Sequence, residues 1–289
     1  MQNSQIKNQI LRFQRNEITE FHIYSKLSAA LKSRSNSDIL KRIAADELKH
    51  YGIWKKYSGR EIGPDSLKVL RYYFISRIFG LTFGIKLMER GEIGAQAAYN
   101  AVSSEVPEAL NIAKEENGHE KDLIGLIDEE RMQYVGSVVL GLNDALVELT
   151  GALAGLTLAL QDPRLVATAG FVTGIAASFS MAASEYLSTK SEPGGKNPLK
   201  ACIYTGVAYI LTVLILITPF LLSNNLYLSL GITLANAILI IFIFTFYLSV
   251  ARDLNFKKRF GEMAAISLGV AALSFAVGFF VRHFMNIEA

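Results

Sequence analysis

Two periodicities divide the chain. Up to about residue 131, apolar residues recur at helical spacing between charged ones; beyond it, apolar runs of twenty or more residues dominate. In the first part, Leu11, Ile18, Phe21, Tyr24 and Leu27 predict a helix over about 5–33. Ser33–Ser37 reads as a turn, with Asp38 as N-cap of a second helix that runs to about Tyr57 and ends at Gly59, Gly63 and Pro64. A third helix starts near Ser66 and extends towards Ser103, and Pro107 opens a fourth. The start of the third, LKVLRYYFISRIFGLTFGIKLM, is unusually apolar, yet Lys68 and Arg77 would point in opposite directions. It reads either as a bilayer-surface helix or as a buried one. In the second part five spans can be drawn, over about 134–160, 164–188, 200–222, 226–250 and 263–282, each near or above the length that crosses a hydrocarbon core. Pro163, Pro193, Pro198 and Pro219 mark the breaks. The expected fold is all-α, a four-helix bundle over 1–131 followed by a five-span membrane domain over 132–289.

Charge adds orientation. Lys190, Lys196 and Lys200 flank the second inter-span loop, and Arg252, Lys257, Lys258 and Arg259 crowd the fourth. The third loop carries no charge, and the first has only Arg164 beside Asp162. The basic loops predict a cytoplasmic N-terminal domain and an outside C-terminus in the cell membrane. The polar N-terminus, MQNSQIKNQILRFQRNE, lacks a signal-peptide apolar region and agrees with that side. A net charge of +3, with no basic aromatic patch, gives no case for nucleic acid. The single cysteine, Cys202, excludes an intrachain disulfide.

The chemistry of the first part lies in an approximate repeat. Glu17-x6-Tyr24 is followed by Glu47-x2-His50, and Glu92-x6-Tyr99 by Glu116-x2-His119. Each Glu-x2-His pair aims a carboxylate and an imidazole at one point from one helix face. Two pairs plus Glu17 and Glu92 supply four carboxylates and two imidazoles, a set suited to two iron or manganese ions. The spacing to Tyr24 and Tyr99 favours Glu17 and Glu92; the separations Glu20–Glu47 and Glu89–Glu116 keep Glu20 and Glu89 as alternates. His22, with no such partner, reads as a surface or packing residue.

In the second part, Asp144 and Glu148 interrupt the first span four residues apart, and so share a helix face. Carboxylates in hydrocarbon are costly and mark cation or proton paths. Met181 and Glu185 repeat that spacing on the small-residue second span, where a thioether adds a softer donor. Glu262 and Met263 open the last expected span and read as a vestibule or an anchor.

The stretches RNEITEFHIYSKL, ADELKHY, MERGEIGAQAAY and EENGHE resemble the rubrerythrin branch of the ferritin-like superfamily. The resemblance covers about residues 8–130 and implies a carboxylate-bridged di-iron site that oxidises ferrous iron. No Cys-x2-Cys pairs follow, so a rubredoxin-type electron-transfer module is missing. GLNDALVELTGALAGL and GIAASFSMAASEYLSTKSE resemble the vacuolar iron transporter family. That resemblance implies a homodimer that exports ferrous iron, and also manganese, from the cytoplasm against protons, with Asp144 and Met181 on the family's pathway Asp and Met. The helical metal-binding insert of plant members is absent between spans two and three. The sequence thus points to a membrane iron exporter with a fused di-iron domain. A membrane-anchored di-iron oxidase or peroxidase, and a manganese exporter with a sensing bundle, stand as alternatives.

Overall fold

The computed structural model describes residues 2–90, 95–125, 133–192 and 196–285, and these are helical with short connections and no strand. The chain divides into two units, Met1–Glu129 and Glu130–Ala289.

In the first unit, α1 (Gln2–Ala30) lies along α2 (Arg34–Ser58). The turn between them differs from the expected one. Ser33, not Asp38, caps α2, its Oγ accepting from Asn36 N at 3.4 Å. Asp38 lies inside the helix, where its carboxylate meets Lys41 across one turn. Gly59 closes α2 with a left-handed φ of 65°, a conformation glycine adopts without a Cβ penalty. The expected long third helix is broken between α3 (Ser66–Phe79) and α4 (Leu81–Arg90); α5 (Ala95–Val102) covers the last described part of it. The break is at Gly80, with φ 103° and ψ 151°. There the chain folds back so tightly that a Cβ on Gly84 would lie 1.9 Å from Ser76 Oγ. Pro107 sits in the turn before α6 (Ala109–Gly125) rather than on its first residue.

The core of this unit is layered. One apolar cluster includes Ile23, Tyr24, Leu27, Leu40, Ile43, Val69, Tyr72, Met88 and Leu123; another includes Ile10, Phe13, Trp54, Tyr99, Val102, Ile112 and Ala113. Along α1 the buried stripe runs Ile10, Phe13, Glu17, Glu20, Tyr24, Leu27, a three–four spacing in which two acids occupy core positions. On α2, Glu47 and His50 stand between Leu40–Ala44 and Trp54; on α6, Glu116 and His119 stand between Ala109–Ala113 and Leu123. The three helices therefore contribute one polar layer between two apolar ones. Tyr24 and Tyr99 fall in the apolar layers on opposite sides of it.

The second unit holds, among the described residues, five helices long and apolar enough to cross a membrane. The first span, Val135–Leu160, consists of α7 (Val135–Asp144), a π-helical turn (Ala145–Leu149) and α8 (Thr150–Leu160). Then follow α9 (Pro163–Ser191), α10 (Pro198–Leu222), α11 (Leu226–Ala251) and α12 (Phe256–Met285). Asp162 and Asn197 cap α9 and α10, each with proline in the first turn, where no amide partner is lost. Pro219 lies inside α10, which continues to Leu222. The last span starts seven residues before the expected 263, at Phe256, because Asn255 Oδ1 accepts from Lys258 N at 3.1 Å and starts the helix within the basic cluster. Glu262 is consequently well inside α12, paired with Arg259 at 3.7 Å, and Met263 packs on the apolar core.

Small residues set the packing. A Cβ on Gly278 would lie 2.2 Å from Gly155 O, and one on Gly141 would lie 2.4 Å from Thr205 O. The first span thus meets α12 at one end and α10 at the other with backbones nearly touching. Leu146, Leu149, Leu153, Tyr209, Val213, Leu216 and Phe220 fill the interior. Large apolar side chains such as Phe171, Phe179, Leu211, Leu239, Leu273 and Phe279 face outward, as lipid contact requires.

Candidate metal centres

In the polar layer of the first unit, one ligand atom each from Glu17, Glu47, His50 and Glu116 lies within 4.8 Å of the other three; among the described residues these four form the one such metal-type group. His50 Nδ1 stands 3.1 Å from Glu116 Oε1, 3.5 Å from Glu47 Oε2 and 3.6 Å from Glu17 Oε2. His119 joins from α6, its Nδ1 3.2 Å from Glu47 Oε1 and 3.7 Å from Glu116 Oε2, and its ring stacks on His50 at 5.9 Å. Glu20 is buried on the same stripe, one turn from Glu17, but is not one of the four. Glu92 lies outside the described residues, as does the side chain of Glu89. His22 packs its ring edge-on to Phe21.

Three neighbours were not visible as site residues in the sequence. Trp54 Nε1 donates to Glu17 Oε1 at 3.0 Å, while its ring stacks with Tyr99. Asp46 and Glu115 face the far sides of the imidazoles, at 3.3 Å from His119 Nε2 and 2.8 Å from His50 Nε2. Carboxylates there fix ring orientation and raise the basicity of the nitrogens. Asp46 and Glu115 directly precede the ligands Glu47 and Glu116, so a search at one-turn spacing passes over them.

Electrostatics in the cluster follow from crowding. Burial, reinforced by Glu47 and Glu116, pushes the Glu17 carboxyl well above its usual range against the pull of His50. Burial opposes charge on Glu47 too, but hydrogen bonds from His119 and His50 outweigh it and bring the carboxyl down to about 2. His50 is held protonated: desolvation is overcome by Glu116, Glu17 and Glu47. In His119 the same contest, won by Glu116 and Glu47, raises the imidazolium to about 10. Protons therefore compensate the acids, which is the position a cation would take. Glu47 Oε2 is buried and meets His50 Nδ1 only at a long 3.5 Å, a further sign that the set fits a divalent ion.

In the membrane unit, Asp144 ends α7 and Glu148 lies within the π turn. The widened turn changes the expected regular helix locally, and π turns of this kind recur at functional sites. Tyr209 of α10, itself buried, donates to Glu148 Oε2 at 3.2 Å and also faces Asp144. Sequence reasoning missed Tyr209; its hydroxyl in an otherwise apolar run, YILTVLILI, was the available signal. The structure does not draw Glu185 to this pair: its carboxylate accepts from Ser137 Oγ at 2.5 Å. Met181 is half-buried against the apolar core.

A helical unit with a buried carboxylate–imidazole cluster, joined to five apolar spans of which the first carries an acid pair, defines an integral membrane protein that carries side chains of the kind that ligate cations. The VIT family profile matches residues 135–194, the first two spans and the start of the loop after them. Vacuolar iron transporter homolog 4 of Arabidopsis thaliana is 30% identical over 115 residues, covering 33% of this chain and 58% of that protein. The chain thus spans less than two thirds of that relative's length. Both likenesses support a membrane metal transporter. No solved structure gives a significant match.

Proposed function

We propose that this protein exports ferrous iron, and manganese as a second substrate, from the cytoplasm in exchange for protons, as a homodimer with its N-terminal unit cytoplasmic. The observation that carries the reading is the acid pair within a span, Asp144 just before a π turn and Glu148 inside it, with Tyr209 donating to Glu148, in the stretch similar to the VIT family. In the proposed path Asp144 and Met181 take the ion directly, and Glu148 and Glu185 act as ligands or proton carriers. A carboxylate can exchange a bound ion for a proton, which supplies a simple basis for antiport. The basic second and fourth loops support the orientation. The test is flux: with the protein in liposomes and an interior Fe²⁺ dye, Asp144→Ala should abolish proton-gradient-dependent uptake, and unchanged uptake overturns the reading.

For the first unit the proposal is a ferritin-like di-iron site, held by Glu17, Glu47, His50, Glu116 and His119, with Glu92 completing the set. Bound iron would supply redox chemistry towards oxygen or peroxide. The chain's own residues bind and orient: Asp46 and Glu115 fix the two imidazoles, Trp54 fixes Glu17, and the apolar layers exclude water. One observation favours a second reading, a membrane-anchored oxidase: the cluster is more deeply buried and richer in ligands than the membrane acid pair. Ferroxidation by the full chain that survives Asp144→Ala while flux is absent from the wild type would select it.

A further inference from the structure

The helix α3 presents two apolar faces. Val69, Tyr72 and Ser76 are buried towards α1 and α4. On the opposite side Leu67, Leu70, Phe74 and Ile78, at i, i+3, i+7 and i+11, form a second stripe, exposed by 80%, 49%, 52% and 63%. Four large apolar side chains in one exposed row are more than scattered surface hydrophobics, and such rows mark interaction sites. At 3.6 residues per turn, the exposed Arg71 and Arg77 fall on the two edges of this stripe. The helix contains Lys68, Arg71 and Arg77 and no acid. This arrangement resolves the conflict seen in the sequence: Lys68 lies beside the buried face and Arg77 beside the exposed stripe, so the two diverge.

We infer that α3 lies flat in the interface of the membrane that the chain spans, with Leu67, Leu70, Phe74 and Ile78 in the acyl boundary and Arg71 on anionic headgroups, while Arg77, which donates to Ala30 O at 3.3 Å, offers them its remaining donors. At 14 residues, about 21 Å, the helix is too short to cross the core but long enough to lie along it. Cations without acids complement an anionic lipid surface and not a mixed protein surface. Five spans in the same chain keep that surface at high effective concentration, so the stripe needs only modest affinity. The inference does not rest on iron or on transport; a chain that moves no metal would still dock α3.

The test uses the full chain with Cys202→Ser in nanodiscs, with an environment-sensitive fluorophore on Phe74→Cys or, as control, on Lys41→Cys at an exposed position of α2. In phosphatidylglycerol-rich discs the probe at position 74 should be blue-shifted and quenched by lipids carrying a shallow nitroxide, while the probe at 41 stays quenchable by aqueous iodide. Adding Arg71→Gln should lower the ratio of docked to free by about fivefold, and phosphatidylcholine discs should do the same. Equal iodide quenching at 74 and 41 in both lipids overturns the inference. Shielding at 74 without nitroxide quenching, together with cross-linking of two copies through Phe74→Cys, also overturns it, assigning the stripe to a second copy of the chain.

Discussion

Divalent metal binding by the N-terminal unit should release at least two protons at pH 7, one each from His50 and His119, with the raised Glu17 carboxyl as a third source. Both imidazoles are held protonated in the metal-free cluster, His119 up to about 10. A ring that carries both protons cannot ligate, so the ion must displace one from each. For His119 that displacement spans about three pH units at pH 7, or about 4 kcal/mol, a penalty of about a thousandfold in apparent affinity. Affinity should therefore climb by at least about a hundredfold per pH unit between pH 6 and 8, the slope of the two imidazole protons, and more steeply where Glu17 also gives up a proton. The stability of the metal-free unit runs the other way. The raised folded pKa of His119 means its contribution is full below about 6.5 and is lost as pH rises through about 10. Seen from Glu47, the same contact is present above about 4.5 and is lost as pH falls through about 2; it is one interaction and counts once. The assay is anaerobic calorimetric titration of the full chain with Mn²⁺ in two buffers of different ionisation enthalpy, where the difference in heat counts protons. His119→Gln should lower that count by one. Identical heats in the two buffers, or an affinity flat from pH 6 to 8, would refute the reasoning.

Three other perturbations separate the parts of the molecule. Trp54, the single tryptophan, donates to Glu17, so its emission should shift in proportion to bound metal; Trp54→Phe should remove that signal and cost about 1–3 kcal/mol in denaturant unfolding by leaving the buried carboxyl without its donor. Tyr209→Phe takes the hydroxyl from Glu148 and should weaken substrate affinity in liposome flux by about tenfold, with the thermal melt of the purified chain unchanged. Gly278→Val forces a side chain into the backbone of Gly155 and should lower the melting temperature in detergent, with a cost at or above about 3 kcal/mol; Gly269→Ala, which meets nothing within 4 Å, is the neutral control.

What the sequence could disclose depended on whether a feature has a period. Glu17, Glu47, His50, Glu116 and His119 could be singled out because the Glu-x2-His pair recurs and Glu17 precedes Tyr24 as Glu92 precedes Tyr99; the structure brings the first four together with His119 beside them. The five spans were legible from length and hydropathy alone. The break at Gly80 was not, because a glycine within an apolar run is compatible with a continuous helix; what decides it is the close approach of Gly84 to Ser76. The π turn leaves no residue-type mark, since it shifts only which backbone carbonyl each amide finds. The outward stripe of α3 was hidden for a related reason: a helix apolar on two opposite faces has almost no net amphipathicity, and looks buried until one side is known to be packed.

Holding an ion and passing it on make opposite demands, and the two centres divide along that line. A conducting site must bind weakly enough to let go. The membrane pair offers two carboxylates and a phenol hydroxyl, with Glu148 exposed, and requires no imidazole to give up a proton. On the proposed reading the cluster in the first unit suits retention: Glu17, Glu47 and His50 are almost fully buried, Trp54 fixes Glu17, Glu115 fixes His50 and Asp46 fixes His119. Such a site would exchange its ion slowly compared with any useful flux. On the proposed reading the bundle is therefore not a relay feeding the pore. It would respond to cytoplasmic metal by staying occupied, and either gate the spans or oxidise what it holds. Removing His50 and His119 together should then leave the maximal flux at saturating Fe²⁺ intact and change only the concentration at which flux begins, whereas a relay would lose flux in proportion to the lost site.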